Sequence, residues 1–117
     1  MELAEIDAEH VVLRMEITDA SRQSFGLFHG GISMLLAETA ASFHSVYEAD
    51  LTHAAPVGIE ISGSHLNSAR KGWVRCTATV VKRGRTLVVH DIEVTHEETG
   101  KPLCRGRVTN LFVPHRS

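Results

Sequence analysis

An α+β fold, with one long helix laid against an antiparallel sheet in the order β-α-β-β-β-β, is what this sequence predicts. Three observations carry it. Residues 10–18 alternate apolar and polar with a period of two, residues 30–48 follow a helical period, and four further strand-like runs are separated by short glycine-bearing turns. With 117 residues and 43% apolar composition, the chain has the size of one domain with a modest core.

The first strand, HVVLRMEIT, points Val11, Leu13, Met15 and Ile17 one way and Val12, Arg14, Glu16 and Thr18 the other. Residues 19–29 form a loop. The helix starts at Gly30 or Gly31, and the loop after it ends at Pro56. The four later strands cover 57–66, 73–82, 86–95 and 103–113. Their turns carry Gly72, Gly84 and Gly100, where a tight reversal needs freedom of φ. Such short connections make the last three strands antiparallel neighbours.

The helix is unusual for its lack of charge. At 100° per residue, Ile32, Leu36, Thr39, Ala40, Phe43, Val46 and Tyr47 fall on one broad face, which is expected to pack on the sheet. The opposite face carries Gly31, Met34, Leu35, Glu38, Ala41, Ser42 and Ser45. Between Gly30 and Tyr47, Glu38 is the only charged residue when His44 is neutral. A helix with no wet side is expected to be covered on both sides, the second by another subunit. In that setting Glu38 is partly desolvated, and its carboxyl is shifted upward toward values useful for acid or base chemistry. The other reading is a buried structural Glu paired with an Arg.

The loop ahead of the helix supplies the second half of a candidate site. At a helix start the first backbone N–H groups lack intrahelical partners and the dipole is positive, so Gly30 and Gly31 are placed to stabilise an oxyanion. Gln23 and His29 add hydrogen-bonding side chains, or serve only to hold the loop.

Composition excludes other classes. A formal charge of -2 opposes general nucleic-acid binding, which needs net positive charge. Cys76 and Cys104 form no CxxC pair and read as small core residues, and the eight histidines show no ligand spacing, so no metal is expected and most histidines read as surface or strand residues. The acidic start MELAEIDAEH lacks the pattern of a signal peptide and no run is long enough to span a bilayer, which implies a cytoplasmic protein with no membrane partner.

The stretch QSFGLFHGGISMLLAETAAS, followed by PVGIEISGSHLNSARKG and the KRGRT turn, resembles the hotdog-fold acyl-CoA thioesterases of the branch that includes 4-hydroxybenzoyl-CoA, 1,4-dihydroxy-2-naphthoyl-CoA and phenylacetate-pathway enzymes. Gln stands six residues before the His, Glu nine after it, and Ser four beyond the Glu. The resemblance implies a long central helix wrapped by a curved antiparallel sheet, in one thioesterase domain over residues 1–117. It implies a homodimer that shares a continuous sheet, and two dimers forming a homotetramer. By the same resemblance Glu38 is the catalytic carboxylate, as nucleophile or general base, and Gly30 gives its N–H to the thioester oxygen. Gln23 and His29 bind or polarise that carbonyl, and Ser42 helps hold the attacking water. Glu38 and Ser42 would come from one subunit and the Gln-His-Gly loop from its partner. No cofactor is implied, because coenzyme A is part of the substrate.

Coenzyme A phosphates call for cations, for which Arg70 and the Arg83-Gly84-Arg85 turn are the candidates, with Lys71 and Lys82 near them. His65 and Ser64 lie where family members approach the ligand. The fatty-acid dehydratases of this fold set a His against a helix carboxylate through a proline-rich segment, but no proline lies between His29 and Glu38. Hydration or dehydration of an acyl thioester and non-catalytic acyl-CoA binding are therefore the alternatives. Phe25, Phe28, Met34 and Leu35 could line an acyl pocket or an interface, and the resemblance tilts the substrate toward an aromatic acyl-CoA.

Overall fold

The computed structural model describes residues 1–22, 24 and 26–115. Gln23 and Phe25 lie outside the described residues, as do Arg116 and Ser117. The elements are β1 (Glu2–Ile6), β2 (His10–Glu16), a short 3₁₀ turn (Asp19–Ser21), α1 (Gly30–Ser45), β3 (Ala54–His65), β4 (Trp73–Arg83), β5 (Leu87–His96) and β6 (Pro102–Pro114). All pairings are antiparallel, in one six-stranded sheet of order β1-β2-β4-β5-β6-β3. The expected order is met, with β1 as an addition ahead of it. β1 pairs only with β2 and is almost wholly exposed, so its sequence carries no alternation to read.

α1 lies on the inner face of the sheet. Beneath it, Val11, Leu13, Val74, Cys76, Ala78, Ile92, Val94 and Val108 form the floor of the core. Cys76 and Cys104 are buried free thiols within it, and burial pushes the Cys76 thiol up to about 12. They act as the apolar residues expected. Among the described residues no helix is long and apolar enough to cross a membrane.

The helix meets the sheet by a different face from the one expected. Its buried residues are Ser33, Leu36, Ala37, Ala40, Ala41, His44 and Ser45, whereas Phe43 is 45% and Leu35 53% exposed. Of the expected packing face only Leu36 and Ala40 are fully buried. Small side chains on the contact side let the helix axis approach the sheet, and close packing wins over burying the largest residues. The helix also stops at Ser45 rather than 48. Arg83 donates to the carbonyls of His44 and Ser45 at 3.4 and 3.3 Å, which satisfies acceptors that the helix end leaves open.

Two histidines break the surface expectation. His44 and His90 are fully buried, with His44 Nδ1 2.7 Å from His90 Nε2 and His44 Nε2 2.7 Å from the Asp7 carbonyl oxygen. A ring that can bond along its edge is tolerated in a core, and composition alone did not reveal that pairing.

Candidate active site

The site is built where α1 passes over β3. Gly30, Met34, Glu38 and Ser42 follow one another at intervals of four, one above the next on the same side of the helix. On the inner face of β3 and β6 they meet His65, Gly63, Gly58 and Asn110. A Cβ placed on Gly30 would lie 2.9 Å from His65 Nε2, one on Gly63 2.8 Å from Met34 Sδ, and one on Gly58 3.7 Å from Glu38 Oε2. Ser42 Oγ completes the row, donating to Asn110 Oδ1 at 3.4 Å.

The helix start leaves a backbone donor open. His29 is the N-cap, in extended conformation, and its Nδ1 accepts the Gly31 N–H at 2.9 Å. Since Nδ1 is an acceptor there, the neutral ring carries its proton on Nε2. His29 is thus left with an N–H to offer outward. Among the described residues nothing accepts the Gly30 N–H, the first of the orphan donors. The loop is held by His29 N–H to the Ser21 carbonyl at 2.7 Å and by Phe28 N–H to the Ala69 carbonyl at 2.8 Å. A cleft of about 240 Å³ opens beside it, lined by Leu27, Phe28, Gly30, Ser33, His65 and Asn67 among others.

Glu38 is exposed within a single chain, so the desolvation expected of its face is not met there. The chain also keeps Glu38 apart from the helix start. Eight residues separate it from Gly30, which at helical rise is about 12 Å. No single thioester carbonyl can touch both ends of that span.

The other residues divide by position. Ser64 pairs with Arg105 and points to the face of the sheet opposite His65, so one chain does not bring it to the helix row. Arg70 lies beside the loop: its carbonyl accepts from Arg22 Nε at 2.8 Å, and its Nη1 is 3.4 Å from a Cβ placed on Gly26. Arg83, Gly84 and Arg85 line a separate cleft of about 330 Å³ at the far end of α1, with Tyr47, Glu48 and Asp50. A helix of 16 residues sets that cleft about 24 Å from Gly30. Among the apolar candidates Phe28 is core, Met34 packs over Gly63 and Leu35 faces out. Sequence reasoning overlooked Asn110 and Gly58. The available signal was a carboxamide in the inward row Cys104, Gly106, Val108, Asn110, Phe112 of β6.

One helix over a six-stranded antiparallel sheet, with a His-capped helix start and a carboxylate in mid-helix, defines a hotdog fold of the thioesterase type. The model of the thioesterase superfamily matches residues 25–103, and the chain belongs to that family. It is 35% identical over 109 residues to a 1,4-dihydroxy-2-naphthoyl-CoA hydrolase of Listeria monocytogenes, covering 93% of this chain and 87% of that one. It is 36% identical over 99 residues to the Escherichia coli protein of the same name, covering 85% and 71%. A solved thioesterase of Staphylococcus aureus superposes with a TM-score of 0.92 at 33% identity, covering 97% of this chain and 93% of that chain. That protein was solved as a glutamine-to-alanine variant and separately as a glutamate-to-alanine variant, at positions fifteen residues apart, the interval between Gln23 and Glu38.

Proposed function

We propose that the protein hydrolyses an acyl-CoA thioester to a free acid and coenzyme A, in sites formed between two copies of the chain. The observation that carries this reading is the helix row itself: an N-terminal N–H without a partner among the described residues and an exposed carboxylate about 12 Å further on, too far apart to act on one carbonyl within a chain. Paired head to tail across two chains, each helix start meets the other chain's Glu38. β3 offers the edge for that pairing. It is the last strand of the sheet, is exposed from Val57 onward, and presents Val57, Ile59 and Ile61 at 45%, 56% and 36% exposure. An apolar unpaired edge of this kind invites a second strand. Leu35 and Phe43 on α1 would be covered by the same association, and a pair of such dimers gives the tetramer.

In this arrangement the Gly30 N–H holds the oxygen of the thioester carbonyl, and the negative charge that develops there is stabilised by a donor already aimed at it. His29 adds its Nε2–H, and Gln23 completes the loop. Glu38 attacks the carbonyl carbon or takes a proton from water, and Ser42 orients that water. A thioester is activated enough for these parts to suffice without a metal. His65, stacked on Gly30, borders the substrate. Arg70 beside the loop, and Arg85 with Gly84 from the far turn, are kept for the coenzyme A phosphates, with Arg83 tied to the helix end. The two relatives named as naphthoyl-CoA hydrolases support an aromatic acyl group.

The test is a hydrolysis screen of aromatic and aliphatic acyl-CoAs read by thiol release, with wild type beside Glu38→Gln. Removing a general base or nucleophile should lower kcat by roughly 10²–10⁴-fold while acyl-CoA still binds. Turnover by Glu38→Gln near that of wild type would refute the assignment, and consumption of enoyl-CoA without thiol release would point to hydration.

A further inference from the structure

Asn110 lies at an inward position of β6, directly beneath the helix row, and is completely buried. Its Oδ1 accepts from Ser42 Oγ at 3.4 Å, but its Nδ2 has no partner among the described residues. Buried polar groups are almost always paired, so an amide whose donor end is unused is not explained by the needs of the fold. In register, Asn110 stands opposite Gly58 on β3. A Cβ at Gly58 would lie 3.6 Å from Asn110 Oδ1 and 3.7 Å from Glu38 Oε2. A carboxylate and a carboxamide thus meet over a backbone position that has no side chain. A water needs two to four polar partners, and the Glu38 carboxylate and the unused Asn110 amide supply two beside a position that carries no side chain.

Resting on the thioesterase reading above, we propose that Asn110 and Gly58 form the seat of the attacking water, Asn110 as a positioning residue and Gly58 by leaving the room. The water oxygen accepts a hydrogen from the unused Asn110 Nδ2 and gives one of its own to Glu38 Oε2, which leaves its second lone pair free to face the substrate carbonyl. As the water oxygen bonds to the carbonyl carbon, its proton passes to Glu38 and the C=O electron pair moves onto the oxygen held by Gly30 of the second chain. Collapse re-forms the C=O and breaks the C–S bond, and the leaving sulfur takes the proton back from Glu38. If Glu38 attacks first, the same water hydrolyses the anhydride and the Glu38 carboxylate is the leaving group.

Two variants separate this role from a structural one. Gly58→Ala places a methyl at ordinary contact distances, so the chain should fold, yet the methyl takes the water's room. We expect kcat to fall by roughly 100-fold with KM little changed, the scale of an ångström's misplacement. Asn110→Leu keeps the shape of the side chain and removes the unpartnered amide, so its Tm should hold or rise. Its kcat should fall on the order of tenfold. Either variant retaining wild-type kcat would overturn the proposal, and so would an Asn110→Leu protein that loses Tm but keeps kcat per folded molecule. The Glu38→Gln control keeps the two readings apart. Wild-type turnover abolished by Glu38→Gln leaves the thioesterase reading standing whatever the seat variants do, whereas a wild type that releases no thiol overturns both.

Discussion

Acid should destabilise this fold through one buried pair, and the sign and size follow from its hydrogen bonds. His44 Nε2 faces the Asp7 carbonyl at 2.7 Å, and a carbonyl only accepts, so the His44 proton is on Nε2. Its Nδ1 is then a lone pair, and the contact of 2.7 Å to His90 Nε2 requires His90 to donate. His90 Nδ1 is left buried without a partner among the described residues. Any proton added to the pair must go there, into the core. Burial holds the His90 imidazole down at about 4, with the neighbouring His44 and Arg83 as lesser causes, and burial also lowers His44. The folded value lies below the unfolded value near 6.5, so between them the unfolded chain binds a proton that the native chain refuses. Stability is therefore full above about pH 6.5 and is lost as pH falls toward 4. A gap of this width is worth roughly 3 kcal/mol, a large share of the stability of a small domain. Urea unfolding at fixed protein concentration, at pH 7 and pH 4.5, should show this loss for wild type. His90→Gln, which keeps a donor toward His44 but does not titrate, should show roughly 2–3 kcal/mol less of it. Parallel losses in the two proteins would refute the reasoning, because carboxylates common to both would then account for the pH dependence.

Two further outcomes test packing and assembly. Gly106→Ala would put a methyl 2.0 Å from the Ser62 carbonyl oxygen, which is backbone and cannot yield, so β3 must separate from β6. This variant should be insoluble or lose several kcal/mol by denaturant unfolding, in the range of the severe core substitutions; an unchanged midpoint would contradict the described ladder. Ile59→Lys places a charge on the exposed β3 edge and should give a folded monomer by light scattering that releases no thiol, whereas a fully active monomer would dismiss the shared site.

The order of elements along the chain and the pairing of the last three strands were legible because period and turn chemistry are local. The alternation in 10–18 and the glycines at 72 and 100, both with positive φ, state themselves in sequence. β1 was not legible, since an edge strand exposed on both faces needs no apolar pattern. The buried side of α1 was misread for a physical reason. The wheel favours large apolar residues, but the sheet offers a floor of core side chains on which the small residues Ser33, Ala37, Ala40, Ala41 and Ser45 lie close. Glu38 and the His29-Gly30 start could be picked out by charge and position alone. Asn110 was overlooked, since alternation places it in the inward row of β6 but only the pairing of β6 with β3 shows that it stands opposite Gly58.

That same floor determines how the proposed sites can be tested by mixing chains. Because α1 is drawn down over β3, the row from Gly30 to Ser42 runs along the outermost strand of the sheet, beside the edge where a second chain would pair. A two-fold axis makes the contact self-complementary: if one chain's Glu38 meets its partner's Gly30, the reverse contact exists as well, and each dimer holds two sites. The halves can then be disabled separately. Glu38→Gln removes the carboxylate. Gly30→Pro removes the N–H: the backbone suits proline, since this is the first residue of the helix and His29 before it is extended at φ -71 and ψ 128, while the added Cβ, 2.9 Å from His65 Nε2, pushes that ring aside in the same half of the site. Each variant alone should be inactive. Unfolded together and refolded as an equal mixture, half of the dimers combine the two chains, and in these one site carries both changes and the other carries neither. Thiol release should return to about a quarter of the wild-type rate. Sites built within single chains would give no recovery, because every chain in the mixture carries a lesion of its own.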